Sequence, residues 1–186
     1  MQKLKAQLKK YITIRKLILG IIFLIFSLLY FKYVAGLILV AIFTPITIMS
    51  VKYSKMVPHI SIESNTGMAV FMGYCFGPVV GLIYGIVVGG VAYTVNSFIS
   101  LTYRSTVLLA GVAGGIAGLL HLFGISFTHA FIAAIIIRTA IAWPWFTMIG
   151  ISPFESFTHQ TSQMFFNLII YLSILSFLYG IVAPFV

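Results

Sequence analysis

The chain has 186 residues, of which 61% are hydrophobic and 7% charged, whereas a soluble globular domain would be about 25% charged. Several apolar stretches of membrane-crossing length, without the short alternating segments of a barrel, leave an all-α, polytopic integral membrane helical bundle forming one domain over 1–186. A formal charge of +9 would suit nucleic acid, but six of the eleven basic residues crowd into the first sixteen positions beside a hydrophobic span, where such residues orient a protein and touch anionic lipid heads.

Met1 to Lys16, with Lys3, Lys5, Lys9, Lys10, Arg15 and Lys16, reads as a basic surface helix and predicts a cytoplasmic N-terminus at the cell membrane. No small-residue cleavage site follows, so a signal peptide is not expected. Leu17 to Phe31 reads as a short span, with Tyr30, Lys32 and Tyr33 at its far interface, and Val34 to Val51 as a second span interrupted by Pro45. Lys52 to Ser64 is the first polar loop and holds Lys55, Pro58, His59 and Glu63.

From Gly67 to Tyr103 there is no charge, and glycine recurs at Gly73, Gly77, Gly81, Gly85 and Gly89. As one helix this stretch would reach about 55 Å, nearly twice the ~30 Å hydrocarbon core, so it must break. Gly77-Pro78 is the expected break, since glycine ends a helix without steric cost and proline suits the first position of the next. A short helix from Gly67 to Phe76 and a full one from Pro78 to about Phe98 follow, the second carrying a small-xxx-small seam, or glycine zipper, for close helix packing.

Thr106 to Phe123 is a span with a small-residue face at Ala110, Gly114 and Gly118. Beyond a turn at Gly124 to Thr128, His129 to about Phe146 forms the next span and closes on the interface anchor Trp143-Pro144-Trp145. Ser152-Pro153-Phe154-Glu155 predicts an N-cap and capping box for a last helix ending near Ala183. If Gly67 to Phe98 crosses once, broken or with its short part re-entrant, there are six crossings, with Lys52 inside and Arg104 outside. If the short segment crosses alone there are seven, and Arg104 moves inside.

Only two acids exist, Glu63 and Glu155, and both adjoin loops. That disfavours an intramembrane carboxylate relay and paired-carboxylate hydrolysis, and no phosphate loop, zinc-protease histidine pair or nucleophile elbow occurs, so no enzyme activity is expected. His121 and His129 flank the Gly124 turn at no recognised metal-ligand spacing, even with His159, and no cofactor is expected. The informative polar feature is the stripe Glu155, His159, Gln163, Asn167, which must face protein or water. It serves either as interhelical hydrogen-bond glue, with Glu155 capping, or as a ligand-facing surface. Arg138 lies ten residues before the Met148–Ser152 turn and Gln163 eleven after it, so a hairpin brings them to similar depth. With no acid expected there, Arg138 either holds a carboxylate or phosphate of a small solute or reaches backbone carbonyls and Glu155. Asn65 and Asn96, near the ends of the glycine stretch, either cap helices or line a pocket.

The run Gly73-Tyr74-Cys75-Phe76-Gly77-Pro78-Val79-Val80-Gly81, continued by Gly85, resembles the substrate-binding S components of energy-coupling factor (ECF) transporters, in which a short second helix ends in a Phe-Gly-Pro turn before a glycine-rich third helix. The resemblance implies a six-span subunit that captures a small water-soluble vitamin or metal, taken up with a transmembrane coupling subunit and two ATPases. It also makes Lys52 to Asn65 an outward lid, which contradicts the six-crossing orientation above unless Leu17 to Val51 crosses differently or seven spans exist. Two hydrophobic segments precede the motif where the family has one, and the family's alanine pair for the coupling subunit is not evident in the first. The reading favoured is a non-enzymatic solute-binding subunit with Arg138, His159, Gln163, Asn167 and Glu155 at the pocket and Glu63 and Asn65 in the lid. The alternative is a structural or assembly subunit whose glycine seam docks a partner helix.

Overall fold

A computed structural model describes residues 15–23, 30–56, 61–96 and 100–185. The helices of the bundle are α1 (Phe31–Met56), α2 (Asn65–Phe76), α3 (Pro78–Asn96), α4 (Leu101–Leu122), α5 (Phe127–Met148), α6 (Pro153–Phe166) and α7 (Leu172–Val182). A π turn, Asn167–Tyr171, splices α6 to α7 without a loop; α7 ends at Val182, beside the expected limit near Ala183, and a 3₁₀ turn, Ala183–Phe185, follows it. No strand occurs among the described residues. Among the described residues, five helical segments are long and apolar enough to cross a membrane: Phe31–Ser54, α3, α4, α5 and the spliced Pro153–Val182. The chain is a multi-pass helical membrane bundle. Of the expected span Leu17–Phe31, residues 15–23 are helical and exposed, and 24–29 lie outside the described residues. The second expected span is longer than read, because α1 runs as a 26-residue helix straight through Pro45.

The break falls at Gly77, whose φ of 107° and ψ of 161° belong to a region essentially reserved for glycine. The chain does not continue onward there; it reverses. Asn65 donates to the Gly85 carbonyl at 3.1 Å and sits against Gly89, while Gly73 meets Gly81, so α2 and α3 form an antiparallel hairpin about Gly77. This removes the variant in which Gly67 to Phe98 crosses once as a broken helix. The short helix is also the most enclosed element: all of its residues but Phe76 are buried.

Its packing explains the glycines. A Cβ on Gly114 would lie 2.6 Å from the Gly81 carbonyl oxygen and 2.7 Å from that of Ala69, so α2, α3 and α4 meet backbone to backbone at one point. One turn further, a Cβ on Gly85 would lie 2.5 Å from the Gly111 nitrogen. Lipid tails are as apolar as leucine, so helices here gain by close van der Waals contact and weak Cα–H···O bonds rather than by escaping water. Gly77 is not part of this ridge; nothing lies within 4 Å of where its Cβ would be. Outward, α3 offers Val79, Ile83, Val87, Val91 and Val95 to acyl chains.

From Phe31 on, the described residues run six times between two ends of the bundle. One end holds the Gly77 turn, the Gly124 turn and the end of α7. It is plugged by aromatics, with Phe127 stacked on Tyr179 at 4.9 Å and Tyr74 edge-on to both Phe127 and Tyr179. Tyr74 also donates to the Ile125 carbonyl at 2.9 Å. The other end holds the α1–α2 connection, the α3–α4 connection and the α5–α6 turn. Val51, Ala92, Tyr93 and Val107 pack together there. Asn96 donates to the carbonyls of Ile48 and Ala92 at 2.9 and 2.8 Å. Lys52 and Arg104 therefore share an end, contrary to the arrangement read for six crossings.

Candidate functional site

On the side of the bundle nearer the α1–α2 connection, buried polar side chains from α3, α5, α6, the π turn and the start of α2 gather. The chain enters α2 in a polar run, Ser61 to Thr66, whose Ser61, Glu63, Ser64, Asn65 and Thr66 are all buried. Hydrogen bonds from outside hold it there: Ile62 N–H donates to Ser54 Oγ at 3.1 Å, Ser64 N–H to Ser50 Oγ at 3.0 Å and Ser61 N–H to Ser162 Oγ at 3.1 Å. The Ile62 carbonyl accepts from the Tyr171 hydroxyl at 2.9 Å.

Glu63 is the hub. Its carboxylate accepts from the Tyr93 hydroxyl on one oxygen, and from Gln163 Nε2 at 2.9 Å and Thr66 Oγ1 at 3.5 Å on the other. Gln163 Nε2 also donates to Thr66 Oγ1 at 3.2 Å. Arg138 reaches in from α5, where Nη1 donates to Gln160 Oε1, three residues before the Gln163 that bonds Glu63. The supposition that no acid lies at the depth of Arg138 is overturned. Glu63 is 75 positions away in sequence, and the dip of residues 61–64 into the bundle carries it down to the arginine.

The expected residues divide as follows. Glu63, Asn65, Arg138, Gln163 and Asn167 are all buried; Gln163 bonds Glu63 directly, Arg138 bonds Gln160, Asn65 bonds the Gly85 carbonyl, and Asn167 sits against Gly67. Glu155 does not join them: it is exposed at the start of α6, where its N–H donates to Ser152 Oγ at 3.2 Å, the expected N-cap. His159 is half-buried, one residue before Gln160. The buried face of α6 is Ser156, Gln160, Gln163 and Asn167, not the strict four-residue stripe. Each four-residue step overshoots a 3.6-residue turn by about 40°, so a stripe of constant stride drifts off its face. Gln160, Thr66 and Tyr93 are the contributors that sequence reading missed. The steps Ser156-Gln160-Gln163-Asn167 would have found Gln160, whereas nothing local distinguishes Tyr93 from the other tyrosines.

Polar groups remain unpartnered within this buried cluster. Arg138 Nε and Nη2 are donors without an acceptor, and Asn65 Oδ1, Gln163 Oε1 and Asn167 Oδ1 are acceptors without a donor. Most buried polar atoms in folded proteins are paired, and a buried guanidinium with two idle edges is costly. The arrangement offers a guanidinium edge to an anionic group and amide oxygens to a hydrogen-bond donor. His121 and His129 lie elsewhere, at the plugged end; His121 packs against Tyr74 at 4.5 Å and His129 Nδ1 hydrogen-bonds Ser126 Oγ at 2.8 Å. No group of three metal-ligating side chains occurs among the described residues. In comparisons with protein-family models, curated proteins and solved structures, nothing matches this chain.

Proposed function

We propose that this protein is a non-enzymatic, membrane-embedded solute-binding subunit for uptake of a small water-soluble, vitamin-like molecule, of the kind the S components of ECF transporters exemplify. The observation that carries this reading is that Arg138, buried in the bundle, keeps two donor positions without an acceptor, while three buried amide oxygens, of Asn65, Gln163 and Asn167, lack donors. A solute bearing a carboxylate or phosphate, together with a hydrogen-bond donor, answers both deficits. The run 61–64 serves as the inner edge of a lid, and the aromatic plug closes the opposite end.

In this reading the N-terminus is cytoplasmic at the cell membrane and α1 makes the first crossing. The Lys3–Lys16 cluster and Lys32 then put seven basic residues on the inner side, against Lys52, Lys55 and Arg104 outside. The lid faces outward, both termini face inward, and a transmembrane coupling subunit with ATPases drives release. The alternative of a ligand-free assembly subunit relied on the glycine seam to dock a partner, but α2 and α4 already fill that seam from within the chain.

The test is thermal stabilisation of purified protein by a panel of carboxylate- and phosphate-bearing solutes. A stabilising solute is expected for the parent, with the effect lost in Arg138→Gln and weakened in Arg138→Lys, which keeps the charge but not the fork. A panel without a hit, or a hit undiminished in both variants, overturns the proposal.

A further inference from the structure

A second feature lies on the outer surface between α3 and α4, near the Lys52–Arg104 end. It is a crevice with a volume of about 400 Å³, within the range of small-molecule sites. Ile86, Val107 and Leu108 make its apolar walls, Tyr93 and Tyr103 line it as a stacked pair with centroids 4.9 Å apart, and Gly90 leaves one side open. Nothing lies within 4 Å of where a Gly90 Cβ would stand. The one charged residue of its lining is Arg104, exposed in the first turn of α4.

We propose that this crevice seats an acyl chain of an anionic phospholipid whose headgroup phosphate pairs with Arg104. The mostly apolar walls favour an apolar occupant, and a helix about 10–12 Å across would lie over a space of this size rather than enter it. A single flexible chain fits. The cation decides the headgroup: Arg104 stands at the membrane interface, and the positive end of the α4 dipole adds to its attraction for an anion. The site is independent of the inner polar cluster, although Tyr93 touches both, its ring lining the crevice and its hydroxyl on Glu63.

The experiment uses the full chain in nanodiscs of phosphatidylcholine alone or with phosphatidylglycerol, with thermal unfolding and native mass spectrometry as readouts. Phosphatidylglycerol is expected to raise the melting temperature and to stay bound through detergent exchange. Arg104→Gln is expected to weaken retention about fivefold, the ratio corresponding to one surface cation. Gly90→Leu, which fills the crevice without meeting backbone, is expected to abolish retention while melting normally in phosphatidylcholine. Equal stabilisation by the two lipids, unchanged retention in Arg104→Gln, or an equal effect of inorganic phosphate in phosphatidylcholine discs overturns the proposal. Should Gly90→Leu fail to fold, the exposed Arg104→Gln decides alone.

Discussion

Arg138 and Glu63 are the two opposite charges buried in the polar cluster, although no ion pair joins them. A guanidinium buried in a membrane bundle needs a counter-charge, and the nearest one arrives from a connection that hydropathy marks as a surface loop. Removing one member of a buried charged couple typically costs about 3–5 kcal/mol, because the survivor stays buried and uncompensated. Glu63→Gln is therefore expected to lower stability by about 3 kcal/mol in denaturant or thermal unfolding of the purified protein. Glu63→Gln combined with Arg138→Met, which removes both charges, is expected to recover much of that loss; simple additivity of the two changes would show that the residues are not coupled. Arg138 and its hairpin partner helix were legible from the count of residues either side of the Met148–Ser152 turn. Glu63 was not, because a contact 75 positions apart leaves no periodic trace in one sequence.

Among the helices, glycines of similar appearance do different work. Gly114 and Gly85 are needed because neighbouring backbone occupies the place of a side chain, Gly77 because its dihedral angles suit no other residue, and Gly115 for neither reason. Gly114→Ala and Gly85→Ala are each expected to cost about 1–3 kcal/mol by prising α4 from its neighbours. Gly77→Ala is expected to cost a similar amount through backbone strain alone. Gly115→Ala, with its nearest neighbours 3.8 Å away, should be neutral or slightly stabilising, since alanine favours a helix interior. Melting temperatures of the four variants in one detergent check this; equal losses at all four would refute the distinction. The glycine spacing and the Gly77-Pro78 break were readable, because glycine and proline act locally. The reversal of direction at the break was not, since a helix stop does not state where the next helix goes.

At the scale of the molecule, the two ends differ in character: aromatic and sealed at one, polar and loop-rich at the other. Six passes place Ser100 and Gly150 on one side of the membrane and Gly124 on the other. Single cysteines at these positions, in a Cys75→Ala background, should label from opposite faces in that pattern, and Gly124 labelling together with Gly150 would break the topology. The sequence conveyed the class of protein and most helix limits, since both follow from hydropathy and caps. The side occupied by Arg104 depended on the hairpin at Gly77, and the positive-inside count alone could not settle it.

The enclosure of α2 bears on how the protein is made. This 12-residue helix, about 18 Å long, is too short to span the bilayer core unaided. The ribosome also releases it before α4, α5 and α7, which supply much of its wall, exist. During synthesis its polar leading end must wait in water or beside the insertion machinery, and it reaches its final depth only when later segments close around it. A nascent chain halted before α4 should thus leave a cysteine placed at Val70 open to aqueous thiol reagents, and the finished chain should shut it away; protection already present in the halted chain would show that α1 and α3 alone suffice as a cradle.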